Sequence, residues 1–207
     1  MNAPIDTTGQ ASHPLRSRRQ VYILLGVFFA PLLLAFILYY GLGVRPTGST
    51  NKGDLIHPAV PLPEVSLPGL ADEKLPANFL RGKWSMVFIG DGACDKRCRE
   101  ALTLMRQTRL ALNDDITRVQ RVFLVSGNCC DGNYLDQEQR GLLLGRIDTP
   151  EGRTLLETFP NGADAVSRGR IYLVDPLGNL MMKYEPDAPQ KALLDDMKKL
   201  LKLSHIG

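Results

Sequence analysis

Apolar and polar positions divide this chain into stretches of different period. From Gln20 to Val44 no residue in 25 is charged, and Leu, Phe, Ile and Tyr dominate. A bilayer-spanning helix needs roughly 20 apolar residues, so this run is long enough to cross one. Pro31 would kink such a helix without forbidding it. A buried core helix is the competing reading, and the run's length and N-terminal place favour an uncleaved anchor. Residues 45–68 then lose all periodicity and are rich in Pro, Gly, Ser and Thr, the composition of an extended tether. His57 sits in it as a solvated linker residue.

Beyond the tether, short apolar runs alternate with amphipathic ones. Trp84–Ile89 and Val119–Val125 predict strands buried on both faces. Asp95–Leu112 predicts a helix, with Cys98, Leu102, Met105 and Leu112 on one stripe. Leu135–Leu144 and Glu151–Phe159 predict helices, whole or partial, with Thr149 as an N-cap ahead of Pro150. Arg170–Asp175 and Leu180–Glu185 predict an antiparallel hairpin around Pro176-Leu177-Gly178-Asn179. A last amphipathic helix follows Asp187-Ala188-Pro189, with Leu193, Met197, Leu200 and Leu201 on one face. The order β-α-β-α-β-β-α is that of an α/β, thioredoxin-like domain, a central mixed sheet flanked by helices, behind one N-terminal transmembrane helix.

The expected organisation is a cytoplasmic tail (1–20), an anchor (21–44), a linker (45–64) and the thioredoxin-like domain (65–207). Arg16, Arg18 and Arg19 crowd the N-terminal flank of the anchor, against Arg45 and Lys52 beyond it. The positive-inside rule then places the domain outside the cytoplasm, which in a bacterium means an inner-membrane protein facing the periplasm. Disulfides can form there.

Charge and cysteine count narrow the chemistry. A formal charge of +3, with no basic stripe interleaved with aromatics, excludes nucleic acid as a partner. Four cysteines (Cys94, Cys98, Cys129 and Cys130) are too few for a disulfide scaffold, and the adjacent pair suits no zinc ribbon. Cys94 and Cys98 fall at the expected start of a helix, where free N–H groups and the macrodipole favour a thiolate. As an i,i+4 helical pair their Cα atoms would lie about 6 Å apart, within disulfide range. A dithiol, a disulfide and a shared soft metal are all open to them. Lys96 and Arg97 would lower a thiol's pKa, whereas Asp91 and Asp95 would raise it. Cys94 is the expected nucleophile and Cys98 the resolving thiol. In an open α/β sheet, sites form at the carboxyl ends of parallel strands. Cys94 follows one such end and Cys129–Cys130 another, so all four thiols are expected to converge, the second pair acting as a relay. A vicinal disulfide is the alternative for that pair. Met181 and Met182, on the hairpin, read as packing rather than metal ligands.

The run GKWSMVFIGDGACDKRC, then VFLVS, then IYLVDPLGNLMMKY and a terminal helix, resembles the Sco/SenC group of membrane-anchored cytochrome oxidase assembly proteins over residues 65–203 and the anchor. That resemblance implies a domain that handles copper, or that reduces the copper-site cysteines of an oxidase subunit, with that subunit or another assembly factor as partner. It makes Cys94 and Cys98 the Cu(I) ligands. The chain departs from the group's pattern in two ways. Asp95 and Arg99 stand where prolines are usual, and Ser167 lies nearest the place of the copper-ligand histidine. The only histidines are His13, His57 and His205. Thiol–disulfide exchange therefore gains weight over copper delivery, although Cu(I) accepts thiolates alone. The alternative from another class is a non-catalytic assembly scaffold with a structural disulfide.

Overall fold

The apolar run folds as one helix, α1 (Arg16–Phe36), continued by a wider π-helical turn at Ile37–Gly41. The 24 residues from Arg18 to Gly41 are long and apolar enough to cross a membrane, and their large apolar side chains are exposed. A computed structural model of the protein describes residues 16–42, 50–69, 73–127 and 132–206. It divides the chain into two units, one ending at Ser49 and one beginning at Thr50.

The second unit holds β1 (Asp54–Pro61), β2 (Leu67–Pro68), β3 (Lys74–Leu75), β4 (Trp84–Asp91), α2 (Lys96–Leu110), β5 (Val119–Ser126), α3 (Gly132–Glu138), β6 (Leu142–Arg146), α4 (Pro150–Glu157), α5 (Ala165–Arg168), β7 (Ile171–Val174), β8 (Asn179–Tyr184) and α6 (Gln190–Leu203). Six strands form one sheet in the order β1-β8-β7-β4-β5-β6, and β2 pairs with β3 separately. β4 lies parallel to β5 and antiparallel to β7, and β7 pairs antiparallel with β8. These are the pairings expected of a thioredoxin-like domain.

β4 is buried from Trp84 to Gly90 because both its faces are covered. Trp84, Met86 and Phe88 face one cluster, with Leu102 and Met105 of α2 and Leu193 and Met197 of α6. Val87 and Ile89 face the other, with Leu155 of α4, Phe159 and Tyr172. The two-residue alternation of a strand sends neighbours to opposite faces. Burying each such large side chain stabilises the fold by about 1.5–3 kcal/mol.

Two expectations are corrected. Leu135–Leu144 is not one helical stretch: α3 stops at Glu138, and Leu142–Arg146 is an edge strand parallel to β5. Gly141, at φ +75°, turns the chain between them, a conformation that suits glycine. The 45–64 linker is also too long. Asp54–Pro61 is an edge strand on β8, where Pro58 and Pro61 are tolerated because an outer edge needs no donor. Asp196 of α6 secures its entry, accepting the backbone N–H groups of Lys52 and Gly53 and the Tyr184 hydroxyl. Burial, then the nearby Asp196 charge, pushes the Tyr184 hydroxyl's pKa up, so it remains a donor. A Cβ on Gly53 would lie 2.6 Å from the Tyr184 ring, so this entry requires glycine. The globular unit thus begins at Thr50, earlier than residue 65.

Candidate functional site

The carboxyl ends of β4 and β5 lie side by side, with Asp91 opposite Ser126. Gly92 N–H donates to the Ser126 carbonyl at 2.8 Å and keeps the two ends together. Past Asp91 the chain turns sharply: Ala93 N–H donates to Asp91 Oδ1 at 2.7 Å, and Cys94 N–H to the Asp91 carbonyl at 3.1 Å. Cys94 closes this turn at φ +43°, in the left-handed region. Asp95 is extended and caps α2, accepting the Cys98 N–H at 3.0 Å. Cys98 is the third residue of the helix.

The structure joins Cys94 and Cys98 as a disulfide with Cα atoms 5.0 Å apart. The expected helical pair is therefore corrected in one respect: Cys94 lies outside the helix, because the Asp95 side chain takes the capping position. That carboxylate also occupies one of the N–H groups that would otherwise favour a Cys94 thiolate. Both cysteines are largely covered, Cys94 at 7% and Cys98 at 4% exposure. Cys94 nevertheless lines a groove of about 750 Å³ that runs past Arg99 and Thr103 of α2, Tyr134 and Glu138 of α3, and Gln190 of α6.

Arg99 and Tyr134, which pattern reading did not single out for the site, stand beside Cys94. Arg99 Nε donates to the Cys94 carbonyl at 3.3 Å, and its guanidinium carbon lies 5.0 Å from the Tyr134 ring centre. Gln139 Nε2 donates to the Tyr134 hydroxyl at 3.1 Å. Gln139 in turn accepts at Oε1 from Arg121 Nη1 at 2.8 Å, while Arg121 Nη2 donates to the Arg140 carbonyl at 2.7 Å. Arg121 is 2% exposed. Burial first, then repulsion from Arg109 and Arg106, pulls its pKa down to about 10. It remains protonated at neutral pH and acts as a buried clamp on the end of α3. An arginine inside the apolar run VQRVFLV was the one sign of this in the sequence.

Cys129 and Cys130 lie outside the described residues. The chain leading to them departs from the same rim as Cys94, where Asp148 accepts the Ser126 hydroxyl at 2.9 Å and the Gly127 N–H at 2.8 Å. Ser167, on α5, lines a second pocket of about 370 Å³ together with Cys98. Its hydroxyl donates to the Asp164 carbonyl at 2.9 Å. His57 lies on β1 and His205 beyond α6. Among the described residues no group of three His, Cys, Asp or Glu side chains is arranged to hold a metal. Once reduced, Cys94 and Cys98 supply two soft donors, and a serine hydroxyl is a poor third for Cu(I). Among the described residues, the donor set does not fit a three-ligand copper centre.

Residues 84–204 match the family described as transmembrane-like, thioredoxin-like, C-terminal domain. No curated protein sequence matches the chain. Among solved structures, copper-bound yeast Sco1 is similar at 18% identity, over 72% of this chain and 96% of that one, with a TM-score of 0.60. Copper-bound Arabidopsis thaliana ScoI aligns at 16% identity over 70% and 100%, with a TM-score of 0.56. A thiol:disulfide interchange protein from Chlorobium tepidum aligns at 16% identity over 72% and 97%, with a TM-score of 0.53. At these identities the likeness establishes the fold.

Proposed function

Because the chain belongs to the transmembrane-like, thioredoxin-like C-terminal domain family, we propose that it is a membrane-anchored thiol–disulfide exchange protein acting through Cys94 and Cys98. The observation that carries this reading is the Cys94–Cys98 bond at the carboxyl rim of the sheet, with Cys94 held at the edge of a groove. A partner thiolate attacks Cys94 Sγ, the disulfide opens, and the electron pair remains on Cys98. The partner's second thiol then resolves the mixed disulfide, so two electrons and two protons pass from the partner to the protein. The reverse sequence reduces an oxidised client. Arg99 holds the Cys94 carbonyl during this exchange and keeps a cation beside the opened bond. Cys129 or Cys130 relays electrons to the same rim.

The setting we infer is the periplasmic face of a bacterial inner membrane, with α1 as a single-pass anchor. The client is a cysteine-bearing subunit of cytochrome oxidase or another of its assembly factors. In cells, a Cys94→Ser, Cys98→Ser strain is expected to lose oxidase activity as fully as a deletion strain. The scaffold reading draws on the low exposure of both sulfurs, and normal oxidase activity in the double-serine strain would decide in its favour. Among the described residues, copper carriage would rest on the sulfurs of Cys94 and Cys98. Accordingly, Ser167→His is expected to tighten Cu(I) binding by the reduced protein about tenfold by adding a third donor.

A further inference from the structure

The two cysteines of the disulfide line different pockets. Cys94 borders the groove between α2, α3 and the start of α6. Cys98 borders the smaller pocket, walled by Phe88 and Gly90 of β4 and by Val166 and Ser167 of α5. Ala93 and Asp95 line both and form the ridge between them. The walls also differ in chemistry. Lys96, Arg99 and Glu100 of α2 and Glu138 of α3 line the groove, so it presents both signs of charge. The smaller pocket is lined by Phe88 and Val166 together with Ser167 and the charged residues Asp91, Asp95 and Arg97.

We propose that the Cys94–Cys98 bond can be attacked from both ends through separate entrances. The groove admits a charged peptide segment of a partner protein to Cys94, and the smaller pocket admits a slender, uncharged thiol side chain to Cys98. This inference rests on the exchange reading and extends it. Attack through the groove forms a bond to Cys94 Sγ and leaves Cys98 as the thiolate. Attack through the smaller pocket forms a bond to Cys98 Sγ and leaves Cys94 as the thiolate, facing the groove. In both cases a second thiol of the same dithiol partner displaces the mixed disulfide. The partner loses two electrons and two protons, and the cysteine pair gains them. A dithiol reductant entering at Cys98 therefore prepares Cys94 for an oxidised client without competing for the groove.

The test uses the full-length protein in detergent micelles with Cys129→Ser and Cys130→Ser, leaving one thiol at a time through Cys98→Ser or Cys94→Ser. The probe is a small neutral methanethiosulfonate, and its reaction rate is read by mass spectrometry. Thr103→Trp, in the groove, is expected to slow modification of Cys94 about tenfold and to leave Cys98 unchanged, because exchange rates follow access to the sulfur. Ser167→Trp should do the reverse. Glu138→Trp and Arg97→Trp carry the same comparison from exposed positions should either first variant fail to fold. Slowing of Cys98 by the groove variants alone, or no effect of Ser167→Trp and Arg97→Trp on it, overturns the proposal. Crossed slowing in a protein that exchanges with no dithiol would leave two entrances standing and end the exchange reading. Exchange without crossed slowing would do the opposite.

Discussion

The turn that ends β4 and the turn that joins β7 to β8 are built alike, with one difference. In Asp91-Gly92-Ala93-Cys94 the aspartate accepts the N–H two residues on at its side chain, and the N–H three residues on at its carbonyl. In Asp175-Pro176-Leu177-Gly178 the same two bonds recur, at 2.9 Å from Leu177 and 3.0 Å from Gly178. The fourth position is left-handed in both, at φ +43° for Cys94 and φ +86° for Gly178. Glycine occupies it without a Cβ penalty, whereas any other residue there costs roughly 1–2 kcal/mol. The other described non-glycine residues at positive φ are Asn113 and Asn161, which tolerate that region. Cys94 alone among them has no such tolerance. Strain of this kind persists where function selects the residue, and the hairpin turn shows what the same frame adopts when only shape is at stake.

The largest separation between the two turns should be in activity. Cys94→Ser is expected to lower the rate of disulfide exchange with a dithiol peptide at least about a thousandfold, since the Cys94–Cys98 disulfide that takes up the peptide's two electrons can then no longer form. Gly178→Ala should leave that rate unchanged. Equal rate losses in both variants would mean that the cysteine turn matters only for folding.

Stability should separate the turns next. Asp175 Oδ1 also accepts the Asn179 N–H at 2.8 Å, and Oδ2 the Asn179 amide at 2.9 Å, whereas the Asp91 side chain makes the one bond to Ala93 within its turn. Asp175→Ala is therefore expected to cost about 2 kcal/mol in urea unfolding and Asp91→Ala about 1 kcal/mol. In a Cys98→Ser background, Cys94→Gly should be more stable than Cys94→Ala by about 1 kcal/mol, the reverse of the order at ordinary positions. Alanine the more stable would mean that the left-handed geometry depends on the disulfide.

The smallest effect concerns pH, at the far end of the hairpin. A hydrogen bond from Arg170, 2.8 Å from Glu185, holds that carboxyl's pKa below its ordinary range, with Lys183 assisting. A depressed folded pKa contributes stability above the carboxyl's unfolded pKa, and that contribution is lost as pH falls through the folded value. Arg170→Gln should lower stability slightly at neutral pH, leave it unchanged below the folded pKa of Glu185, and so flatten the acid side of the stability profile.

The same contrast shows what a one-dimensional pattern can carry. β4, β5 and the β7–β8 hairpin were readable because their apolar runs are flanked by turn residues, and α2 and α6 because their stripes are long. β1 was missed because Pro58 and Pro61 mark an edge strand and a tether alike, and only its pairing with β8 tells them apart. β6 was missed because five residues after a helix carry no period of their own. At the site, the spacing of Cys94 and Cys98 allowed a disulfide as one of three states, and the structure shows that one. The spacing could not show that Asp95 would cap the helix and leave Cys94 in the turn. Arg99 and Tyr134 are 35 positions apart in the chain, and nothing local announces their contact.

Equilibration of the Cys94–Cys98 pair in the full-length protein against thiol–disulfide buffers tests the central claim most directly. A midpoint above about −300 mV is expected, with a trapped mixed disulfide on Cys94 when Cys98→Ser is introduced. A midpoint below that value, with no adduct on Cys94, would contradict it and leave the bond as a structural brace.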